Sequence, residues 1–257
     1  MKYTYQQILD SLPIKKNQNS SWWVKLWVRK ASFFFTYIFI NLGFSPNGVS
    51  ALSIAVTLAA CILLMVPAQW AAILAAVLVN FWLVLDCVDG NIARCRKKKT
   101  VYGEFVDDMG GYFTVAFIYL AVGVSAYHLG GPLLGRYNIW AIILGGASSC
   151  CDILARLIHK DFEHFTDLAL SEEERKEKYG RPSYDAGNKK SLSYIRRRIG
   201  KEIGISGAFM PLLLVSAILG TCDLLTVFYF AFNGAALLAT AVLLFVKADR
   251  FDRKRLG

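Results

Sequence analysis

Six stretches of this chain stay apolar long enough to cross a hydrocarbon layer, and nothing else in the sequence constrains its fold as much. A helix needs roughly 20 apolar residues to span a layer of about 30 Å. Inside that layer every backbone N–H and C=O must be paired within the protein, so each run is read as a helix. The runs extend from about Ser45 to Pro67, Gln69 to Arg94, Gly103 to His128, Tyr137 to His159, Ile203 to Cys222 and Leu224 to Lys247. Ser45-Pro46 is a good helix start: Ser caps a free N–H, and Pro at the first helical position gives up no needed donor. The expected fold is all-α, a polytopic membrane protein of six transmembrane helices.

Charge sharpens this reading. The net charge is +10 although the mean hydropathy is +0.41, and only 19% of residues are charged. Beside such apolar runs the positive charge fits a membrane surface and not a nucleic acid. With both ends cytoplasmic, the outer loops are residues 67–69, 129–136 and 222–224. Only Arg136 of the 29 Lys and Arg then lies outside, which excludes the inverted topology. No basic flank leads directly into a short apolar core, so no cleavable signal peptide is expected. The six cysteines (61, 87, 95, 150, 151, 222) show no CxxC spacing and mostly lie in apolar runs, unlike a disulfide scaffold or a zinc ribbon.

Residues 1–41 form a separate element ahead of the six-helix domain, 42–257. The segment WWVKLWVRKASFFFTYIFIN is read as an amphipathic interfacial helix on the inner leaflet. Trp22, Trp23 and Trp27 anchor it, with Lys25, Arg29 and Lys30 toward the headgroups. Reading it as a span would give seven crossings and invert all that follows. Residues 160–202 are the one long polar stretch, acidic and basic at SEEERKEKYG, broken at Gly180 and Pro182, then strongly basic.

The chemistry concentrates at two helix ends. The second span ends Asp86-Cys-Val-Asp89-Gly90-Asn-Ile-Ala93-Arg94, and the third begins Gly103-Glu-Phe-Val-Asp107-Asp108. Ionised groups in a span cost several kcal/mol unless paired or hydrated, so their first reading is functional. Asp86 and Asp89 lie three apart, on one helical face. Asp107 starts the next, antiparallel helix, so the three carboxylates converge at one depth. With no His or Cys required as ligand (Cys87 is read as pointing elsewhere), they suit a hard cation, Mg²⁺ or Mn²⁺. Gly90, Ala93 and Gly103 leave backbone open to a ligand, and Arg94 is placed to meet a phosphate. A purely structural salt network would hold two helices together but would not need the glycines.

These residues resemble a known family. Asp86-x-x-Asp89-Gly90-x-x-Ala93-Arg94, eight residues, Gly103-x-x-x-Asp107 is similar to the signature of the CDP-alcohol phosphotransferases, and every spacing agrees as far as Asp107. The amphipathic N-terminal helix, the Ser-Pro-Asn start of the first span and the placing of the motif on spans two and three agree as well. The resemblance implies a CDP-alcohol donor such as CDP-diacylglycerol, an acceptor hydroxyl that attacks the phosphorus nearer the alcohol, and release of CMP in phospholipid or related lipid synthesis. It implies Asp86, Asp89 and Asp107 as metal ligands, Gly90, Ala93, Arg94 and Gly103 as nucleotide contacts, and a homodimer.

The pattern breaks at one place. The family carries a fourth aspartate four residues after the third, a metal ligand or the base for the acceptor, and this chain has Gly111 there. Three explanations compete. Asp108, about 60° around the helix from Gly111, stands in as the catalytic base. The acceptor arrives already ionised, as a phosphate or carboxylate does. Or the chain is a divergent member that binds CDP compounds and metal without the usual turnover.

Acceptor-binding candidates are cationic. Arg156 faces the site, or snorkels while paired with Asp152 four residues before it. Arg196 and Arg198, in the basic run before the fifth span, suit a phosphorylated acceptor, although a positive-inside flank also explains the run. His128, His159 and His164 are read as boundary residues, and Cys150-Cys151 as packing residues. Gly145, Gly146 and Gly207-Ala208 mark close helix contacts, in the bundle or in a dimer. A transporter also uses intramembrane carboxylates, but these cluster at one membrane face instead of the midplane.

Overall fold

The computed structural model describes residues 3–13, 19–97, 100–175 and 192–256. A short α1 (Tyr5–Asp10) opens the chain, capped by Thr4. A π-helical segment (Val24–Val28) leads into α2 (Arg29–Asn41). Then follow α3 (Pro46–Met65), α4 (Gln69–Cys95), α5 (Val101–Leu129) and α6 (Ile139–Ala169). After them come α7 (Leu192–Ile203), a second π-helical segment (Ile205–Phe209), α8 (Met210–Leu219) and α9 (Cys222–Leu256). No strand occurs among the described residues. Six helical stretches are long and apolar enough to cross a membrane: α3, α4, α5, α6, Arg198–Leu219 and Cys222–Arg253. The chain is thus an all-α integral membrane protein.

Local chemistry sets the ends. Ser45 Oγ accepts from Gly48 N at 3.0 Å to start α3, and Thr100 Oγ1 accepts from Gly103 N at 3.1 Å to start α5. Gly220, in the left-handed region at φ +69°, stops α8. Asp223, fully buried at the start of α9, accepts from Leu133 N and Leu134 N at 2.7 and 2.8 Å and so fixes the α5–α6 loop.

α4 lies at the centre, packed against α2, α3 and α8. Ala71, Ala72, Ala75, Ala76 and Val79 are fully buried along it, small enough for neighbouring backbones to approach. α5 and α6 cross where Gly123 meets Gly145. A Cβ on Gly123 would lie 2.5 Å from Ala141 O, and one on Gly145 would lie 2.6 Å from Tyr119 O. The close contact expected around Gly145 therefore belongs to the bundle interior. Polar side chains tie the helices further: Trp23 Nε1 donates to Asn80 Oδ1 at 3.0 Å, and Asn233 Nδ2 to Ser148 Oγ at 2.9 Å.

Three details depart from the sequence reading. α6 continues ten residues past His159, to Ala169. Hydropathy falls there, but no Gly or Pro breaks the helix. The fifth span is not one helix: α7 and α8 are separated by Gly204 and the π segment, and Gly207 has non-helical backbone angles. A side chain on Gly207 would run into the carbonyl of Glu202, so this glycine serves a fold-back of its own chain and not a helix–helix contact. The N-terminal helix also does more than lie on a surface. Trp23 and Trp27 pack against the core, and Arg29, expected toward the headgroups, is only 7% exposed.

Candidate active site

α4 ends and α5 begins at the same end of the bundle, and a cavity of about 560 Å³ opens there. α4 contributes Leu83, Asp86, Cys87, Asp89, Gly90 and Arg94, and α5 contributes Asp107. Cys87 lines this cavity too, contrary to the expectation that it points away. The rest of the wall is distant in sequence: Pro13, Asn19, Ser20, Ser21, Val24 and Arg29 from the N-terminal part, and Lys201 and Ser206 from the α7–α8 break.

Asp89 is the most enclosed carboxylate of the three, 6% exposed. Its Oδ2 accepts from Ser50 Oγ on α3 at 2.6 Å, and its Oδ1 from its neighbour Gly90 N. The charges of Asp86 and Asp107 both act on it. Asp86 is half-buried and Asp107 exposed at the cavity rim. The three carboxylates share the cavity with Arg29, Arg94 and Lys201. No group of three His, Cys, Asp or Glu side chains placed to hold a metal ion by themselves occurs among the described residues. An all-oxygen donor set lining one open cavity fits a hard divalent ion that takes the remainder of its shell from water and phosphate oxygens.

Arg94 is held from two sides. Its Nη2 donates to Asn91 Oδ1, and Asn91 Nδ2 donates in turn to Thr36 Oγ1 at 3.0 Å and Ser32 Oγ at 3.3 Å on α2. Gly90 gives the guanidinium room: a Cβ there would sit 3.3 Å from Arg94 Nη1. The buried Arg94 Nε has no hydrogen-bond partner. Ala93 and Gly103 do not line the cavity. A Cβ on Gly103 would lie 3.3 Å from Asn47 Oδ1, at the start of α3.

The other candidates lie off the cavity lining. Asp108 is exposed and pairs with Lys160 Nζ on α6 at 3.0 Å. Arg156 Nε pairs with Asp152 Oδ1 at 2.8 Å, beside Tyr119. Arg198 Nη2 pairs with Glu202 at 2.6 Å. The side chain of Arg196 lies outside the described residues, as do Gly180, Pro182, Lys189 and Lys190. At Gly111 a Cβ would meet nothing within 4 Å, so the break in the pattern leaves open space.

Arg29, Asn91 and the Ser20–Ser21 pair were not singled out from the sequence as site residues, whereas Lys201 belongs to the basic run before the fifth span. A signal existed. Arg29, Ser32 and Thr36 are spaced three and four apart and share one buried face of an otherwise aromatic helix. Polar residues on the buried face of such a helix point to a polar neighbour.

Residues 44–164 match the model of the family described as CDP-alcohol phosphatidyltransferase. No curated protein matches the chain. The matched stretch runs from the start of α3 into α6 and carries all three cavity carboxylates together with Arg94. Over residues 44–164, therefore, this chain is similar to the CDP-alcohol phosphatidyltransferase family, transferases that pass a phosphate-linked group from a CDP-alcohol to an acceptor.

Proposed function

We propose that the protein transfers a substituted phosphate from a CDP-alcohol, such as CDP-diacylglycerol, to an acceptor alcohol and releases CMP. The reaction takes place at the cytoplasmic face of its membrane, with Mg²⁺ or Mn²⁺, in the synthesis of phospholipids or related lipids. One observation carries the reading: Asp86, Asp89, Asp107 and Arg94 line the same cavity. Asp86, Asp89 and Asp107 would hold the ion, with Ser50 fixing the orientation of Asp89. A bound divalent cation neutralises the bridging phosphates and makes CMP a better leaving group. Arg94, steadied by Asn91, meets a phosphate oxygen with its remaining donors. The acceptor oxygen attacks the phosphorus nearer the alcohol, and the bond to CMP breaks. The charge asymmetry supports the inner placement of the site: with both ends inside, Arg136 is the single cation in the outer loops.

The test is CMP release by purified protein in lipid, with CDP-diacylglycerol or CDP-linked small alcohols as separate donors, pooled acceptors and either metal. Release that depends on donor, metal and Asp86 supports the reading. Release unchanged in Asp86→Asn sinks it.

Asp108 reaches a substrate proton only after leaving Lys160, and it stands outside the cavity lining. Asp108→Asn is therefore expected to keep CMP release within about threefold of the wild type, whereas loss of a working general base costs about a hundredfold or more. A loss of that larger size would return the base to Asp108.

Gly111 favours a second reading, slow turnover for want of a carboxylate. It lies four residues after Asp107 and hence on the same face of α5. Because a Cβ at Gly111 meets open space, Gly111→Asp is expected to fold as the wild type does. With a neutral alcohol as acceptor, its CMP release should rise about tenfold or more. An unchanged rate with that acceptor would mean that a carboxylate at position 111 supplies no base and would sink this second reading.

A further inference from the structure

We infer that Arg29 and Lys201, both outside the family-matched stretch, form an anion subsite in the cavity that takes the oxygens of a phosphate group. The identity of that phosphate rests on the transferase reading; the chemistry of the subsite does not.

Arg29 is the strongest single observation. The residue is 7% exposed and lines the cavity. Nη2 donates to Ser20 Oγ at 2.7 Å, whereas the buried Nε has no hydrogen-bond partner. No carboxylate among the described residues forms an ion pair with it. A buried guanidinium with a single neutral acceptor is costly, because burial of a charge is offset only when its donors are met. An anion in the cavity meets them. A guanidinium presents its donors as a planar fork that matches phosphate oxygens.

Lys201, from the last turn of α7, lines the same cavity, and the positive charge of Arg29 acts on it. The charge of Arg29 acts on Arg94 as well. The three cations repel one another, and an anion with several oxygens between them would relieve that repulsion. Asp86, Asp89 and Asp107 line the same space, so a phosphate there lies between fixed cations and the place for a metal ion. The two parts of the subsite are also tied together. Ser21 Oγ donates to Ser206 O, and Trp22 N donates to Glu202 Oε2 at 2.8 Å, which holds the N-terminal segment against the α7–α8 break.

Two sources supply such a phosphate: the diphosphate of the donor, or a phosphate carried by the acceptor. Titration calorimetry in lipid nanodiscs with Mg²⁺ separates them, comparing wild type and Arg29→Gln. The probes are CMP, CDP, and inorganic phosphate added over saturating CMP. Arg29→Gln is expected to weaken CDP by about 10- to 100-fold, the worth of a charge-assisted hydrogen bond. That result places the donor diphosphate on Arg29. Unchanged CDP with inorganic phosphate weakened by the same factor places an acceptor phosphate there. All three probes within about threefold of the wild type overturn the proposal. Wild type that binds phosphate through Arg29 but neither nucleotide keeps the subsite and sinks the transferase reading instead. Wild type that binds none of the three overturns both. Arg29→Lys, which keeps the charge, should restore part of the loss. If Arg29→Gln does not fold, Lys201→Gln, on a half-buried side chain, carries the same comparison.

Discussion

Asp89→Asn should lower CMP release by about a thousandfold while leaving the melting temperature unchanged or higher. The first half follows from charge. Asn keeps the shape of the side chain and an oxygen for the Ser50 hydroxyl, 2.6 Å away, but lacks the negative charge that would hold a divalent ion. Removal of one preorganised electrostatic partner costs about 10²- to 10³-fold, and loss of the most buried of three metal-facing carboxylates belongs at the upper end. The second half follows from burial. Asp89 is 6% exposed and feels two other carboxylates. Neutralising it removes a desolvated charge and two repulsions from the folded state. Falling activity with steady or rising stability marks a residue kept for chemistry. A fall of less than tenfold in CMP release, or a clear drop in melting temperature, would assign Asp89 to the structure instead.

Gly123→Leu should do the reverse and destroy the fold. Even a Cβ at this position would lie 2.5 Å from Ala141 O and 3.1 Å from the Cα of Gly145, and both are backbone atoms that cannot turn aside. α5 and α6 would have to part, and Tyr119 on α5, one turn from the crossing, packs against Phe209 and Tyr229. Overpacking a tight contact costs about 3 kcal/mol at its upper end, and a branched side chain against backbone belongs there. Gly146→Ala is the internal control: its Cβ would meet only Leu120 Cδ1, at 3.7 Å, an ordinary contact. Thermal unfolding in detergent should show a large loss for Gly123→Leu and none for Gly146→Ala. Equal melting temperatures would mean that the crossing yields more easily than its geometry implies.

The spans were legible in the sequence because a hydrocarbon layer imposes one rule along the whole chain, and an apolar run obeys it whatever its neighbours are. The carboxylates of α4 and α5 were legible because a charge at a span end stands out against apolar surroundings and the spacing puts Asp86 and Asp89 on one face. Features set by contact were hidden. The end of α6 depends on helix continuity, which outlasts the apolar run. Gly207 reads like any small residue in a span until the carbonyl of Glu202 is seen beside it. Arg29 reads as a headgroup cation because Trp residues precede it; its burial depends on Ser20 and the α7–α8 break, which no local pattern reveals. Asp108 reads in the sequence as a stand-in for the carboxylate missing at Gly111, and its pairing with Lys160 on another helix has no local signal.

The wall of the cavity also has a timetable. A ribosome delivers Asp86, Asp89 and Asp107 about a hundred residues before it delivers Lys201 and Ser206. Through that interval a nascent chain with its first four spans inserted has its acidic wall in place, while the N-terminal segment lacks the Ser206 carbonyl and the Glu202 carboxylate that later anchor it. The wall is complete only when the fifth span arrives, so a chain truncated after α6 retains the motif but lacks Lys201 and Ser206.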